Sequence, residues 1–171
     1  MSGGVKVTTG NNDLLNTAAV VGPALISRGD SITVSETSTG GLIGAMLLAV
    51  PGASAYFKGA TVPYSFPSRR KWLDMNRDSV ADLEPMSEAM AMRFAQIAQA
   101  QLNSTWGLAE LGIAGPTGAP YGVSAGTSVI AISGPNPLAT TVITGHNRRQ
   151  SNMRHFAEAA IALLARALEL D

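Results

Sequence analysis

Apolar and polar residues recur at two different periods along the chain, and the changes of period mark the predicted elements. Apolar side chains return every three to four positions over residues 12–28, which predicts a helix. Alternation of apolar and polar residues over 31–35 (SITVS) predicts a strand. The next run, TGGLIGAMLLAV at 39–50, is almost wholly apolar and predicts a buried helix that ends at Pro51.

The middle of the chain continues the succession of strands and helices. Aromatic and β-branched residues predict a strand within residues 54–65, and a short helix opened by Ser68 follows it. Ser87 resembles a helix cap, and the apolar spacing after it predicts a helix that ends near Asn103. A strand at 105–112 then leads into a glycine-rich loop.

The C-terminal part of the chain predicts a mixed sheet. The segments TSVIAIS and LATTVIT form two strands around Gly134 and Pro135, most simply a hairpin, before a helix at 151–170. A hairpin adds antiparallel pairing to a sheet whose other strands are separated by helices. We therefore expect an α/β fold, with a single three-layer α/β/α domain over 12–171 preceded by a flexible leader at 1–11.

Composition narrows the classes of partner. The formal net charge of the 171 residues is zero, so no basic surface favours nucleic acid. The longest apolar stretch, GGLIGAMLLAV, is too short to span a bilayer, and the first residues lack an apolar signal core. We expect a soluble cytoplasmic protein that binds neither nucleic acid nor membranes.

Cysteine and histidine usage narrows the chemistry. The chain has no cysteine, which excludes thiol catalysis, and its two histidines are His146 and His155. A histidine-rich metal centre is therefore not expected, and we expect neither a metal nor a cofactor.

The segment ETSTGG, between a predicted strand and a predicted helix, concentrates side chains that suit catalysis. Thr37, Ser38 and Thr39 supply three consecutive hydroxyl groups, and Gly40 and Gly41 follow them. In a structural interpretation, Ser38 or Thr39 caps the helix, and the glycines allow close packing or a positive φ. In a functional interpretation, free amides at the turn hold a phosphate or an oxyanion, and one hydroxyl attacks an acyl carbon.

Four segments in this order resemble the C-terminal domain of the CinA family, the nicotinamide-nucleotide amidohydrolases. They are ETSTGGLI, VPGASAYFKGATVPYS, GIAGPTG and the terminal helix, and the resemblance covers about residues 12–170. It implies hydrolysis of the carboxamide of nicotinamide mononucleotide to nicotinate mononucleotide and ammonia, by a serine with a lysine as base. The implied partner is a small-molecule nucleotide or amide substrate.

The chain departs from the family's strings ESCTGG and YSNEAK at both proposed catalytic positions. The resemblance places the nucleophilic serine at Thr37, the cysteine after it at Ser38, and the lysine at Arg69. Threonine keeps a hydroxyl but adds a methyl group that crowds attack. A guanidinium stays protonated, so Arg69 is unsuited to act as base, although it binds phosphates and oxyanions well.

Three other residues are alternative bases. Lys71 lies two residues beyond Arg69 and reaches the site if the Pro67 segment shifts in register, and Lys58 and His146 are further candidates. A bystander role also fits each of them, on a water-facing strand for Lys58 and on an exposed helix face for Lys71.

The resemblance also implies a set of ligand-binding residues. The string GIAGP is intact at 112–116, and GHNRR at 145–149 corresponds loosely to the family's GDR, which leaves Arg148 and Arg149 as alternatives. Glycine and proline also shape ordinary turns, and the arginines also suit solvated positions. The expected substrate-binding residues are Thr39, Gly40, Gly41, Tyr64, Gly112, Ala114, Gly115, Arg148 and Arg149.

Two functions follow from these residues. The first is an amidohydrolase of nicotinamide mononucleotide or a related small amide, with Thr37 or else Ser38 as nucleophile and Arg69 orienting the substrate. The alternative is a catalytically altered homologue that binds a nucleotide or phosphorylated metabolite without turnover. Both require that three segments line one hollow: the hydroxyl turn (residues 37–41), the loop near Gly115, and the segment with Arg148 and Arg149.

Two helices raise the question of self-association. The Ala- and Met-rich segments 86–102 and 151–170 are more apolar than a lone domain needs, which predicts a homo-oligomer, a dimer or higher. The alternative is that the methionines fill irregular gaps in the core.

Overall fold

The computed structural model describes residues 10–76 and 78–170. Short 3-10 turns occupy Ala53–Ala55 and Asp78–Val80. The strands and longer helices of that part of the chain are α1 Gly10–Arg28, β1 Ile32–Glu36, α2 Leu42–Leu48, β2 Phe57–Thr61, α3 Phe66–Leu73, α4 Glu88–Leu102, β3 Trp106–Ile113, β4 Thr127–Ser133, β5 Leu138–Ile143 and α5 Arg149–Ala167.

The strands form one mixed sheet in the order β2-β1-β3-β4-β5. Strand β1 pairs in parallel with β2 and β3, whereas β3, β4 and β5 pair antiparallel to one another. The predicted hairpin is therefore β4–β5, and the predicted mixed sheet is confirmed.

Helices cover both faces of the sheet. Helices α1, α2 and α5 pack on one face, where Ile32 and Val34 of β1 belong to their apolar cluster. Helix α4 packs on the other face over Ala109 and Leu111 of β3, and α3 packs against α4. The three-layer α/β/α prediction is confirmed.

Element ends differ from the sequence-based expectation by a few residues. Helix α1 begins at Gly10, two residues early, and residues 1–9 of the expected leader lie outside the described residues. Helix α3 is capped by Ser65, whose side chain accepts from the Ser68 amide, so Ser68 lies inside the helix and not at its start. Helix α5 also begins two residues early.

Helix α4 directs its apolar face into the core. Ser87 caps it and Asn103 ends it, as predicted, and Asn103 adopts a left-handed conformation. Its buried residues face the sheet, and Met90 packs partly against the same cluster. The methionine therefore serves the core of the domain, and self-association remains a prediction.

The sheet places the carboxyl ends of β1 and β3 side by side. Glu36 and Glu110 are register partners in these parallel neighbours, and both are fully buried. The hydroxyl turn follows β1 and the glycine-rich loop follows β3, so both segments leave the same edge of the sheet, where ligands bind in open α/β folds.

Candidate active site

The Glu110 carboxylate organises the hydroxyl turn, residues 37–41. Its Oε1 accepts from Ser38 Oγ at 2.5 Å and from Ser128 Oγ at 3.1 Å. Its Oε2 accepts from the backbone amides of Thr37 and Thr39 at 3.0 and 3.2 Å. Burial raises the pKa of the Glu110 carboxyl, and these hydrogen bonds oppose the shift. One carboxylate thus fixes the conformation of all three hydroxyl residues.

Glu36 caps α2 from the end of β1. Its Oε1 accepts from the Gly44 amide at 2.9 Å, and its Oε2 accepts from the Ile43 amide at 3.1 Å. These N–H groups belong to the first turn of α2, where the helix dipole favours a negative charge. The N-cap position itself is Gly41, which makes no side-chain cap. The interpretation in which a turn hydroxyl caps the helix is therefore wrong.

Thr39 lies between the two carboxylates. Its Oγ1 is 2.6 Å from Glu36 Oε2 and 3.1 Å from Glu110 Oε2. A hydroxyl has one proton, and the shorter distance assigns it to Glu36. Because Thr39 is fully buried between these two carboxylates, its side chain holds the turn together.

Thr37 and Ser38 are nearly buried, with 4% and 3% of their surface exposed. Thr37 Oγ1 accepts from the Gly112 amide at 3.4 Å. A side chain at Gly112 would overlap with Ser38 Oγ and with Glu110 Oε1. Glycine at 112 therefore allows β3 to approach the hydroxyl turn closely.

Gly40 and Gly41 supply the free donors of the turn. Both have positive φ angles, 66° and 105°, which other residues rarely adopt. Within the described residues neither backbone amide donates a hydrogen bond, and Gly40 is exposed. The buried Ser38 amide likewise donates no hydrogen bond within the described residues, so the turn retains three unpaired N–H groups, of which those of Gly40 and Gly41 suit an anion or a developing oxyanion.

Asn152, in the first turns of α5, forms hydrogen bonds that hold the glycine-rich loop between β3 and β4 in place. This side chain is fully buried, and its Nδ2 donates to the carbonyls of Ala114 and His146, both at 2.9 Å. Its Oδ1 accepts from Thr144 Oγ1 at 2.7 Å. The loop after β3 and the loop before α5 are thus joined through one amide group.

Arg149, and not Arg148, contacts the glycine-rich loop. Arg149 Nη1 donates to the Gly115 carbonyl at 2.7 Å, and Nη2 donates to the Tyr64 hydroxyl at 3.4 Å. Arg148 is the exposed N-cap residue of α5 and makes no side-chain cap. The geometry therefore brings together Tyr64, Gly115 and Arg149 among the residues predicted to bind substrate.

Arg69 is half-buried on α3. Its Nε donates to the Pro63 carbonyl at 3.2 Å, and its Cζ lies 5.4 Å from the ring centroids of both Phe66 and Phe94. Burial lowers the pKa of the Arg69 guanidinium, while nearby tyrosine phenols oppose the shift. In the described part of the chain it forms no hydrogen bond with the hydroxyl turn.

The three alternative bases make no hydrogen bond with the hydroxyl turn within the described ranges. Lys58 and Lys71 are exposed, and Lys71 lines a surface depression on α3 together with Asp74. His146 offers its carbonyl to Asn152, and its buried Nδ1 has no hydrogen-bond partner among the described residues.

The segments predicted to share one hollow meet at one end of the sheet. Gly112 contacts Thr37, Arg149 contacts Gly115, and a side chain on Gly40 would lie 3.5 Å from the terminal methyl group of Met153 on α5. The hydroxyl turn does not line the open groove of about 900 Å³ beside the loop, whose walls are residues 116, 118, 119, 122–125, 143 and 145–147.

Sequence reasoning missed Glu36, Glu110 and Asn152. A glutamate inside the apolar strand WGLAELG was a usable signal, because an unpaired charge is rarely buried without a purpose. Asn152 carried no such signal, because asparagine is unremarkable in the first turns of a helix.

Neither a metal cluster nor a membrane-spanning helix occurs in residues 10–76 and 78–170. No group of three or more histidine, aspartate or glutamate side chains there is arranged to hold a metal ion. No helix there combines the length and hydropathy that a membrane crossing requires.

Comparisons with known sequences cover most of the chain. A family model described as the CinA C-terminal domain matches residues 15–168. A CinA-like protein of Trichormus variabilis is 35% identical over 161 residues, which are 92% of this chain and 38% of that protein. A CinA-like protein of a Nostoc species is 38% identical over 125 residues, 73% of this chain and 29% of that protein. The chain therefore spans well under half the length of these relatives.

Solved structures share the fold. A CinA superfamily protein from Klebsiella pneumoniae matches with a TM-score of 0.82 at 25% identity, covering 91% of this chain and 98% of that chain. The competence damage-inducible protein A from Klebsiella pneumoniae subsp. pneumoniae matches with a TM-score of 0.83 at 25% identity, covering 91% and 97%. The mixed α/β architecture is thus common to this chain and to these proteins.

Proposed function

Because the chain belongs to the CinA C-terminal domain family, we propose that it hydrolyses the carboxamide of nicotinamide mononucleotide or of a related small amide. The observation that supports this most is the meeting of three segments, through the contacts Thr37–Gly112 and Gly115–Arg149. A hydroxyl group, free amides and an arginine at one end of a sheet suit acyl transfer from a phosphorylated amide.

The hydroxyl turn supplies the reacting groups. The hydroxyl of Thr37 or Ser38 attacks the carboxamide carbon, and the free amides of Gly40 and Gly41 hold the carbonyl oxygen as its charge develops. The C–N bond then breaks and ammonia leaves. A water molecule hydrolyses the ester that joins the acyl group to the enzyme, which releases the acid.

The remaining residues hold the ligand. Arg149 donates to the phosphate, for which its planar fork is well suited. Tyr64, with 56% of its surface exposed, presents a ring face to the pyridine ring. Arg69 orients the substrate and leaves the proton transfer to another group.

Ammonia release tests this function directly. Purified protein incubated with nicotinamide mononucleotide should release ammonia, and the double variant Thr37→Ala, Ser38→Ala should release at least ~100-fold less. Circular dichroism of the double variant controls for folding. Release by the wild-type protein no faster than by the variant contradicts the proposal.

A second candidate function is nucleotide binding without turnover. Two observations favour it: Thr37 and Ser38 are at most 4% exposed, and Arg69 takes the place of the lysine base that the resemblance implies. Calorimetry should then show binding of a mononucleotide with no ammonia release, and an absence of binding to mono- and dinucleotides contradicts it. The double variant Thr37→Ser, Arg69→Lys should gain deamidase activity if the scaffold is intact.

A further inference from the structure

We propose that Glu110 is the general base of the candidate active site and that Ser38 is the nucleophile it activates. The proposal rests on the proposed function, since a base and a nucleophile matter only if the site carries out hydrolysis. Glu110 supplies the proton acceptor that the protonated Arg69 does not. The proposal also selects Ser38 over Thr37 as the nucleophile.

The three hydroxyl groups of the turn differ in their partners. Ser38 Oγ lies 2.5 Å from Glu110 Oε1, within the distance at which a nucleophile and its base exchange a proton. The Thr37 hydroxyl accepts from the Gly112 amide, and among the described residues no carboxylate lies within hydrogen-bond distance of it. Ser38 also lacks the methyl group that crowds attack by Thr37.

Thr39 is excluded as the nucleophile by its surroundings. It is fully buried, and its proton is held by Glu36 at 2.6 Å. The Glu36 carboxylate is itself engaged by the amides of Ile43 and Gly44 in the first turn of α2. Thr39 and Glu36 therefore support the turn, and the reacting pair is Ser38 with Glu110.

The Glu110 carboxylate is oriented by groups other than Ser38. Amides of Thr37 and Thr39 hold Oε2, and Ser128 of β4 donates to Oε1. A base that is itself fixed by further hydrogen bonds is the arrangement seen in nucleophile–base–orienter sites. Rotation of Glu110 away from Ser38 would break these contacts.

The charge environment favours proton uptake by Glu110. The ion pair found in the described part of the chain joins His155 and Glu158, so no basic side chain there neutralises Glu110. The titratable group that faces it is Glu36, its register partner on β1, whereas β4 and the turn present only hydroxyls and amides. Burial raises the pKa of Glu110, which strengthens it as a base.

In each half of the reaction, Glu110 accepts one proton and gives it back. Ser38 Oγ forms a bond to the carbonyl carbon and gives its proton to Glu110 Oε1, while the carbonyl oxygen takes the negative charge. The oxyanion collapses, the C–N bond breaks, and Glu110 returns the proton to the departing ammonia. Water then attacks the Ser38 ester and gives its proton to Glu110. That proton passes to Ser38 Oγ as the acid is released.

A substrate-independent probe tests the pair. The full chain is mixed with p-nitrophenyl acetate, p-nitrophenolate release is followed in the first turnover, and the acetylated peptide is identified by mass spectrometry. We expect the acetyl group on Ser38. Glu110→Gln should slow the first turnover ~10²–10⁴-fold, whereas Glu84→Gln, a matched change at an exposed glutamate, should leave it unchanged.

The pH dependence separates a base from a merely structural residue. In the wild-type protein the first-turnover rate should rise with pH as Glu110 loses its proton and then level off. The rise should be absent in Glu110→Gln. Acetylation on Thr37, no acetylation of the folded wild-type protein, or an unchanged pH profile in Glu110→Gln overturns the proposal.

These outcomes are distinct from failure of the proposed function. Acetylation of Ser38 without ammonia release from nicotinamide mononucleotide supports the Ser38–Glu110 pair and excludes nicotinamide mononucleotide as the substrate. Ammonia release at the wild-type rate by Glu110→Gln supports the hydrolase and overturns the pair. If Glu110→Gln does not fold, the acetylation site in the wild-type protein still decides between Ser38 and Thr37.

Discussion

Gly112 leaves no room for a side chain beside Ser38, because a methyl group on its α-carbon would overlap with Ser38 Oγ. Gly112→Ala should therefore push β3 away from the hydroxyl turn and destabilise the protein by about 1–3 kcal/mol, the usual effect of overpacking. Urea denaturation measures the loss. Gly29→Ala is the comparison variant, since it carries the cost of a positive φ, which Gly112 does not adopt, but has open space around it and so creates no overlap. A smaller loss for Gly112→Ala than for Gly29→Ala contradicts the prediction.

Asn152→Ala should loosen the glycine-rich loop. The change leaves the buried carbonyl of Ala114 without a donor, at a cost of about 1–3 kcal/mol, and leaves the His146 carbonyl with only Thr144 Oγ1, 3.4 Å away. Hydrogen exchange should accelerate over residues 112–126. Asn136→Ala removes a single bond to the Ala167 carbonyl and should cost less. Equal losses in the two variants, with unchanged exchange in the loop, speak against this role of Asn152.

Stability should depend on pH through Glu110. Burial raises the folded-state pKa of this carboxyl above its unfolded value. Its contribution is therefore complete below the unfolded pKa and is lost as the pH rises through the folded pKa. The free energy of unfolding of the wild-type protein, measured relative to Glu110→Gln, should fall as the pH rises above about 4.5. If the free energy of unfolding of the wild-type protein relative to Glu110→Gln rises with pH, the folded-state pKa of Glu110 is lowered and the prediction is wrong.

Arg149→Ala should weaken substrate binding more than Arg148→Ala. Both arginines are exposed, but Arg149 donates to Gly115 and Tyr64, whereas Arg148 makes no side-chain cap. A lost charge-assisted hydrogen bond of about 1.5–3 kcal/mol corresponds to an increase of tenfold or more in KM. Initial rates with nicotinamide mononucleotide test this order, and a larger effect of Arg148→Ala reverses the assignment.

Sedimentation should give the mass of two or more chains. Three apolar side chains near the α3–α4 pair remain exposed: Phe66 at 77%, Trp72 at 49% and Leu102 at 47%. Burying such side chains between copies is favourable. A mass equal to one chain at micromolar protein concentration contradicts the prediction of a homo-oligomer.

Local patterns predicted the fold well, whereas the site depended on contacts between distant residues. Periodicity located α4 and its end at Asn103 because those signals lie within a few residues of one another. The bond between Ser38 and Glu110 joins residues 72 positions apart, so it depends on the pairing of β1 with β3. The choice of Arg149 over Arg148 required the exact start of α5, and helix ends are the least predictable feature of a sequence.

The capping of α2 by Glu36 gives the two sides of the site opposite charge, negative near α2 and positive near Arg149. Because a carboxylate of the protein already accepts from the amides of Ile43 and Gly44, a nucleotide bound as proposed would have its phosphate repelled from that side and attracted toward Arg149. The uncharged carboxamide can approach Gly40 without this repulsion. A phosphorylated substrate of the proposed kind would therefore have one favoured direction of entry, and a ligand with negative groups at both ends would be rejected at one of them.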